Sequence, residues 1–467
     1  MPTTKKKMHK TYDDGKVLIR WDEDVKVEKT NFWELFRLQL HLSAISIPFG
    51  ICVMLLIGLA TSQMLRGTCA HVLDDPDAAE DWTVLKENFF QCALNHWSSI
   101  LLYKPIVIFN YGAVIWLTWG TQVFRTGWNQ ALLAFTVVGA YALCTTMYVT
   151  NAKALKYHEQ LDGSKMTDQS TLICSYWYFA HFCVAYFGPI YLLIKNSVRK
   201  GSGFVTFLCM LFESGGFFVY SSALEVLLNR GTPVWQIVLF RYVFHEIFWG
   251  VVLWGYRIVL RNCLGLDTGA QGLLIGRLVT MKAIYSKFLL VQLKGFGQII
   301  AINIFDALLN FFLRSLYVIY DEWFMNMQYG NRAAKAIIST EEESYLRSYE
   351  AQAETMASAP AVFITGGLLL FGHFQPVPGQ SVNIAKVVID IVVQLITNFT
   401  SDWFSMVAED KFFASQHVKV FNRRMPNWSL KMMAMQCVSI SIFMLGSGYA
   451  PFCPKRYEHG IMMEYCG

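Results

Sequence analysis

Lys386, Asp390, Gln394 and Asn398 recur every four residues inside an otherwise apolar run. On an α-helix residues four apart drift by only about 40 degrees, so these side chains form one continuous polar face, with Asn383 and Thr397 close to it. The rest of that helix is Val, Ile, Leu and Phe. A charge at the centre of a membrane-spanning helix costs about 2.5 to 3.5 kcal/mol on insertion scales, so Asp390 is expected to face protein or water. The chemistry on offer is passage of a polar solute or ion. The structural alternative is that Lys386 neutralises Asp390 one turn away while Gln394 and Asn398 bond neighbouring helices.

A second constellation lies in two apolar runs joined by Asn229 to Val234, which are expected to form an antiparallel hairpin. Glu225 and Arg241 then fall at similar depth and are expected to pair as a structural ion pair. Glu213, His245 and Glu246 are candidate proton carriers, because neighbouring carboxylates raise one another's pKa and histidine titrates near neutrality. Such groups serve a proton-coupled transporter, and equally a membrane-embedded enzyme using His245 and Glu246 as acid and base. A third stripe, Asn303, Asp306, Asn310 and Arg314, has helical spacing too. Its meaning depends on whether Phe296 to Tyr320 crosses the membrane.

These residues need elements to hold them. Of 467 residues, 54% are hydrophobic and only 16% charged, well below the roughly 25% charge of soluble domains. The apolar residues cluster into runs near the roughly 20 residues that span a hydrocarbon core about 30 Å thick. The fold class is therefore all-α, a polytopic transmembrane helical bundle. The spans are placed at roughly Leu42 to Leu65, Ser99 to Gly120, Ala131 to Thr150, Thr171 to Ile194, Gly203 to Leu228, Trp235 to Tyr256, Ala357 to Phe374, Val382 to Thr400 and Met432 to Tyr449.

This divides the chain into a cytoplasmic segment 1–41 with an interfacial helix at Phe32 to Leu38, a six-span region 42–260, and a cytoplasmic or re-entrant helical region 261–356. A three-span region 357–449, with a basic inner loop 401–429, and an outer tail 450–467 complete it. No cleavable signal is expected in 1–41, so the first span acts as the insertion signal. With nine spans, Lys and Arg divide about 27 inside to about 8 outside; a crossing by Phe296 to Tyr320 alone gives about 21 to about 13. Nine spans are preferred, ten being the alternative.

Nine spans put Cys69, Cys92, Cys453 and Cys466 on the outer side, where disulfides can form, most simply Cys69 with Cys92 and Cys453 with Cys466. The outer loop 66–97 is acidic and can concentrate cations. The net charge of +5 comes mainly from loops beside apolar runs, so the partners expected are the lipid bilayer and a small solute or ion, with no nucleic acid. No phosphate loop, Cys-x-x-Cys, His-Glu-x-x-His or nucleophile elbow occurs, so no cofactor, metal or hydrolase chemistry is expected. The functional expectation is a transporter or channel in the plasma membrane or an endomembrane. A membrane enzyme, or a receptor or scaffold whose buried polar groups are structural, are the alternatives.

Overall fold

The computed structural model describes residues 5–13, 16–25, 31–66, 216, 219–220, 223–224, 227, 233–262, 268–291, 296–331, 334, 341–371, 384–413, 417–424, 427–443, 455–458 and 461–464. The second, third and fourth expected spans, Glu213, Glu225 and the four outer cysteines lie outside these residues. Among the described residues Cys52 and Cys437 are free thiols.

The membrane part is helical. Helix α1 is Phe32–Arg66. Helix α2, Val234–Leu239, runs through a π-helical turn, Phe240–Phe244, into α3, His245–Asn262. Then come α4, Thr268–Val291, α5, Phe296–Tyr329, α6, Glu341–Phe371, and α7, Ile384–Phe413. A short α8, His417–Arg424, precedes α9, Asn427–Phe443. Outside this helical part, β1, Lys5–Asp13, pairs antiparallel with β2, Lys16–Val25, and β3, Lys455–Glu458, with β4, Ile461–Glu464. The all-α expectation did not include these hairpins, whose mixed polar sequence carries no apolar run.

Four described helices are long and apolar enough to cross a membrane: Phe32–Leu56, Trp235–Arg257, Ile300–Tyr317 and Ile384–Phe412. Each leaves large apolar side chains outside the fold. On α5 these are Ile304, Phe305, Leu308, Phe312, Leu316, Ile319, Trp323 and Met327, which repeat at three- and four-residue spacing down one side. That pattern is the lipid-facing stripe of an amphipathic helix turned inside out, with Asn303, Asp306 and Arg314 buried on the opposite face.

Helices α4 and α6 sit inside this wall. Leu273, Ile275, Leu278, Ile284, Tyr285 and Leu289 of α4 are buried, and so are Arg277, Thr280 and Lys287 of the same helix. A helix covered by protein on every side needs no apolar stripe, which is why three cations can interrupt it. Small residues let it pack closely. A Cβ on Gly272 would lie 2.6 Å from Tyr349 Cβ, and one on Gly276 would lie 2.6 Å from Met432 Sδ.

Contacts also fix the helix directions. Gly272 meets Tyr349 and Gly276 meets Ala353, so α4 and α6 run parallel; Gly50 meets Pro360 and Gly367 meets Met54, so α1 runs parallel to both. Helices α3, α5 and α7 run the other way. Glu246 of α3 pairs with Lys282 of α4 and Arg257 farther along α3 with Glu350 of the parallel α6, while Arg314 and Asp321 of α5 pair with Glu354 and Arg347 of α6, each in antiparallel order. Asn303 bonds Asp390 and Arg314 bonds Asp402, the parallel order for α5 and α7. Gly276 and Ala353 lie two turns before Pro360, the residue facing Gly50 in the middle of the first span. Thus α4 lies beside α6, which in turn packs on α1, and α4 overlaps the first span along the helix direction.

Two segments differ from expectation. Phe32 to Leu38, expected as a separate interfacial helix, is the continuous start of α1, where Leu35 and Leu38 are buried and Phe36 packs on Trp403 at 4.9 Å. Residues 401–413, expected in an inner loop, continue α7 without a break.

Candidate charged cavity within the helix bundle

The π-helical turn before α3 places Arg241, only 2% exposed, between two acids. Its guanidinium donates to Glu246 Oε1 at 2.5 Å and to Asp306 Oδ1 at 2.5 Å. The extra residue of a π turn rotates the following helix and re-aims side chains, so Arg241 and Glu246, five apart, reach one another. Lys282 Nζ lies 2.8 Å from Glu246 Oε2. Lys287 Nζ donates to Asp306 Oδ2 at 2.8 Å and to Asn398 Oδ1 at 3.2 Å. Asn310 donates more weakly to Asp306, at 3.4 Å. Three cations and two carboxylates thus form one linked cluster.

A second cluster lies farther along α5 and α7. Arg314 Nε lies 3.1 Å from Glu354 Oε2 and 3.1 Å from Glu409 Oε1, and its Nη1 donates to Asp402 Oδ1 at 2.9 Å. His417 Nε2, at the start of α8, is 3.0 Å from the other oxygen of Glu409. A third pair is bidentate. Arg257 Nε donates to Glu350 Oε2 at 3.1 Å and its Nη2 to Oε1, while the guanidinium lies 3.8 Å from the Tyr317 ring centre. Flat guanidinium against flat carboxylate and ring is the arrangement that suits buried arginine.

Between these clusters lies a cavity of about 560 Å³, walled by α3, α4, α5, α6 and α7. Six cationic side chains and six carboxylates line it, alongside Trp254, Tyr317 and Phe324. Charge is held here because each group is paired at short range. An isolated ion buried to this extent would be far more costly. Among the described residues no group of three His, Cys, Asp or Glu could hold a metal ion.

The sequence candidates divide over this geometry. Arg241, Glu246, Asn310, Arg314 and Asn398 line the cavity. Asp306 lies behind it, bridging Arg241 and Lys287. Asp390 is set back from the wall, accepting from Asn303 Nδ2 at 2.9 Å and from Gln394 Nε2 at 2.8 Å. Lys386 is half-buried one turn before it. His245 is fully buried but turned elsewhere, with Nδ1 2.6 Å from the Tyr220 hydroxyl and Trp249 and Tyr220 packed around it. Consecutive helical residues point about 100 degrees apart, which separates His245 from Glu246. The conditional stripe Asn303, Asp306, Asn310 and Arg314 is the inward face of α5.

Sequence reasoning passed over Arg257, Glu350, Glu354, Asp402 and Glu409. For Asp402 the signal is present in the sequence, since it follows Asn398 by four residues and extends the stripe by one turn, but it lies beyond the expected end of the span at Thr400. Glu350 and Glu354 precede the apolar run of α6, and nothing in their local sequence distinguishes them from solvated helix. Comparison with protein-family models, curated proteins and solved structures finds no match.

Proposed function

We propose that the protein carries a small polar or charged solute through the membrane, with the cavity between α3, α4, α5, α6 and α7 as its solute site. The observation that carries this reading is a space of about 560 Å³ lined by charges of both signs, behind helices whose outer faces are apolar. Small-molecule sites typically enclose about 300 to 1,000 Å³. A network serving only to hold helices together gains nothing from such a space, since closing it would strengthen every pair. The enzyme reading is less well supported, because His245 and Glu246 have different partners.

The test is access. Ser286 lies on the cavity wall of α4. In proteoliposomes, Ser286→Cys is expected to take up one more equivalent of a hydrophilic methanethiosulfonate reagent than the unsubstituted chain. No extra labelling from either side of the membrane would overturn the reading.

The same arrangement supports a topology in which α4 and α5 both cross. Two crossings in place of none restore the sidedness of everything downstream. The lysine and arginine bias that favoured nine spans is then kept, although Phe296 to Tyr320 enters the membrane. A short tag inserted at residues 292–295, between α4 and α5, is therefore expected to be reached by antibody on intact cells, and so is a C-terminal tag. A 292–295 tag reached only after permeabilisation would return both helices to the inner side.

A further inference from the structure

Resting on the reading of the cavity as a solute site, we propose that its ligand is a small zwitterion, bound with its anionic group at Asn398 and its cationic group at Asp402. The cavity has two electrical poles. Arg241, Lys282 and Lys287 face only Glu246 and Asp306 in their linked cluster, an excess of one positive charge. Arg314, with His417 against Glu409, faces Glu354, Asp402 and Glu409, so carboxyl groups outnumber cationic groups there. Asp390, held by Asn303 and Gln394, is set back from the wall and does not cancel the first pole there.

Each pole also has unused bonding atoms, Arg241 Nε and Asn398 Nδ2 at the first and Arg314 Nη2 and Asp402 Oδ2 at the second, and of these the two on α7 are the ones placed one turn apart. Asn398 and Asp402 are 7% and 8% exposed, and both line the cavity. Asn398 Oδ1 is taken by Lys287, leaving its Nδ2 donor without a partner among the described residues. Asp402 Oδ1 is taken by Arg314, leaving its Oδ2 acceptor without one. Buried polar atoms are normally paired, so a free donor and a free acceptor on one wall mark where a ligand completes the bonding. Asn398 and Asp402 are one turn apart on α7, about 6 Å at a rise of about 1.5 Å per residue. A carboxylate accepting from Asn398 beside Lys287, and an ammonium donating to Asp402 one turn on, match that spacing. Trp254, Tyr317 and Phe324 supply apolar and aromatic surface for the carbon chain.

The experiment titrates the full chain in lipid nanodiscs by calorimetry with 4-aminobutyrate, and with butylamine and butyrate as single-charge counterparts of the same length. The zwitterion is expected to bind at least tenfold more tightly than either counterpart. Asp402→Asn and Asn398→Leu, each checked for an unchanged elution profile, are each expected to weaken it at least tenfold. If one single-charge probe binds as well as the zwitterion, the ligand class is overturned while the solute site stands. If no probe binds but the Ser286→Cys thiol is labelled, the zwitterion again fails and the cavity reading survives. Failure of both binding and labelling overturns the two together.

Discussion

Substituting Arg314 by methionine is expected to lower the stability of the folded bundle by about 3 to 5 kcal/mol, the usual effect of removing one member of a buried ion cluster. Native stability is typically about 5 to 15 kcal/mol, so the loss should be visible as a steep fall in the thermal midpoint and in monodisperse yield. The cause is specific. Arg314 contacts Glu354 and Glu409 at 3.1 Å and Asp402 at 2.9 Å, so a single change removes the cation shared by three carboxylates from two different helices, leaving only Glu409 its contact with His417. Arg314→Lys should fall in between, since a lysine keeps the charge but not the fork of donors that reaches several acids. Lys411→Met, at an exposed position near the end of α7, should shift the midpoint little. A wild-type midpoint in Arg314→Met would mean that the three acids do not depend on this cation.

The second large effect is expected at Arg257 and Glu350, and it has a different signature. Arg257→Leu and Glu350→Leu should each cost about 3 to 5 kcal/mol, because either leaves the opposite charge buried without its main partner. Combined, the two changes should cost far less than their sum. Replacing both members of a buried pair with apolar groups removes two desolvation penalties together with one attraction, which is often close to neutral. The residual cost should reflect the guanidinium stacked 3.8 Å from Tyr317, worth about 0.5 to 2 kcal/mol. A double-mutant cycle on thermal midpoints reads this directly, and additive effects would show that the pair is not coupled.

Much of the membrane character was legible in the sequence. The apolar runs that became α1, α3 and α7 are continuous, and the four-residue stripe on α7 gave the inward face correctly as far as Asn398. The stripe on α5 was also read, with its meaning left to topology. What periodicity could not supply was the partner of each charge. For Asp390 the sequence offers Lys386 one turn away on its own helix, and the structure adds hydrogen bonds from Asn303, on α5, and from Gln394. The expected Arg241 partner Glu225 lies outside the described residues; among these, Arg241 bonds Glu246 and Asp306, the latter 65 residues away in sequence. Distances of this kind are set by helix packing, and no local window contains them.

The chain by itself determined that lipid surrounds this protein, because only clustered apolar runs with so few charges satisfy a hydrocarbon core. It also determined which faces of α5 and α7 turn away from lipid, because a helix fixes the angle between residues four apart. Tertiary structure alone decided that α4, with Arg277, Lys282 and Lys287, is enclosed by other helices. Hydropathy measures the cost of facing lipid, and an enclosed helix does not face it; the outer surfaces of its neighbours do, while Lys282 finds Glu246 and Lys287 finds Asp306. Only packing, likewise, could leave a cavity between charges that the sequence distributes over five helices.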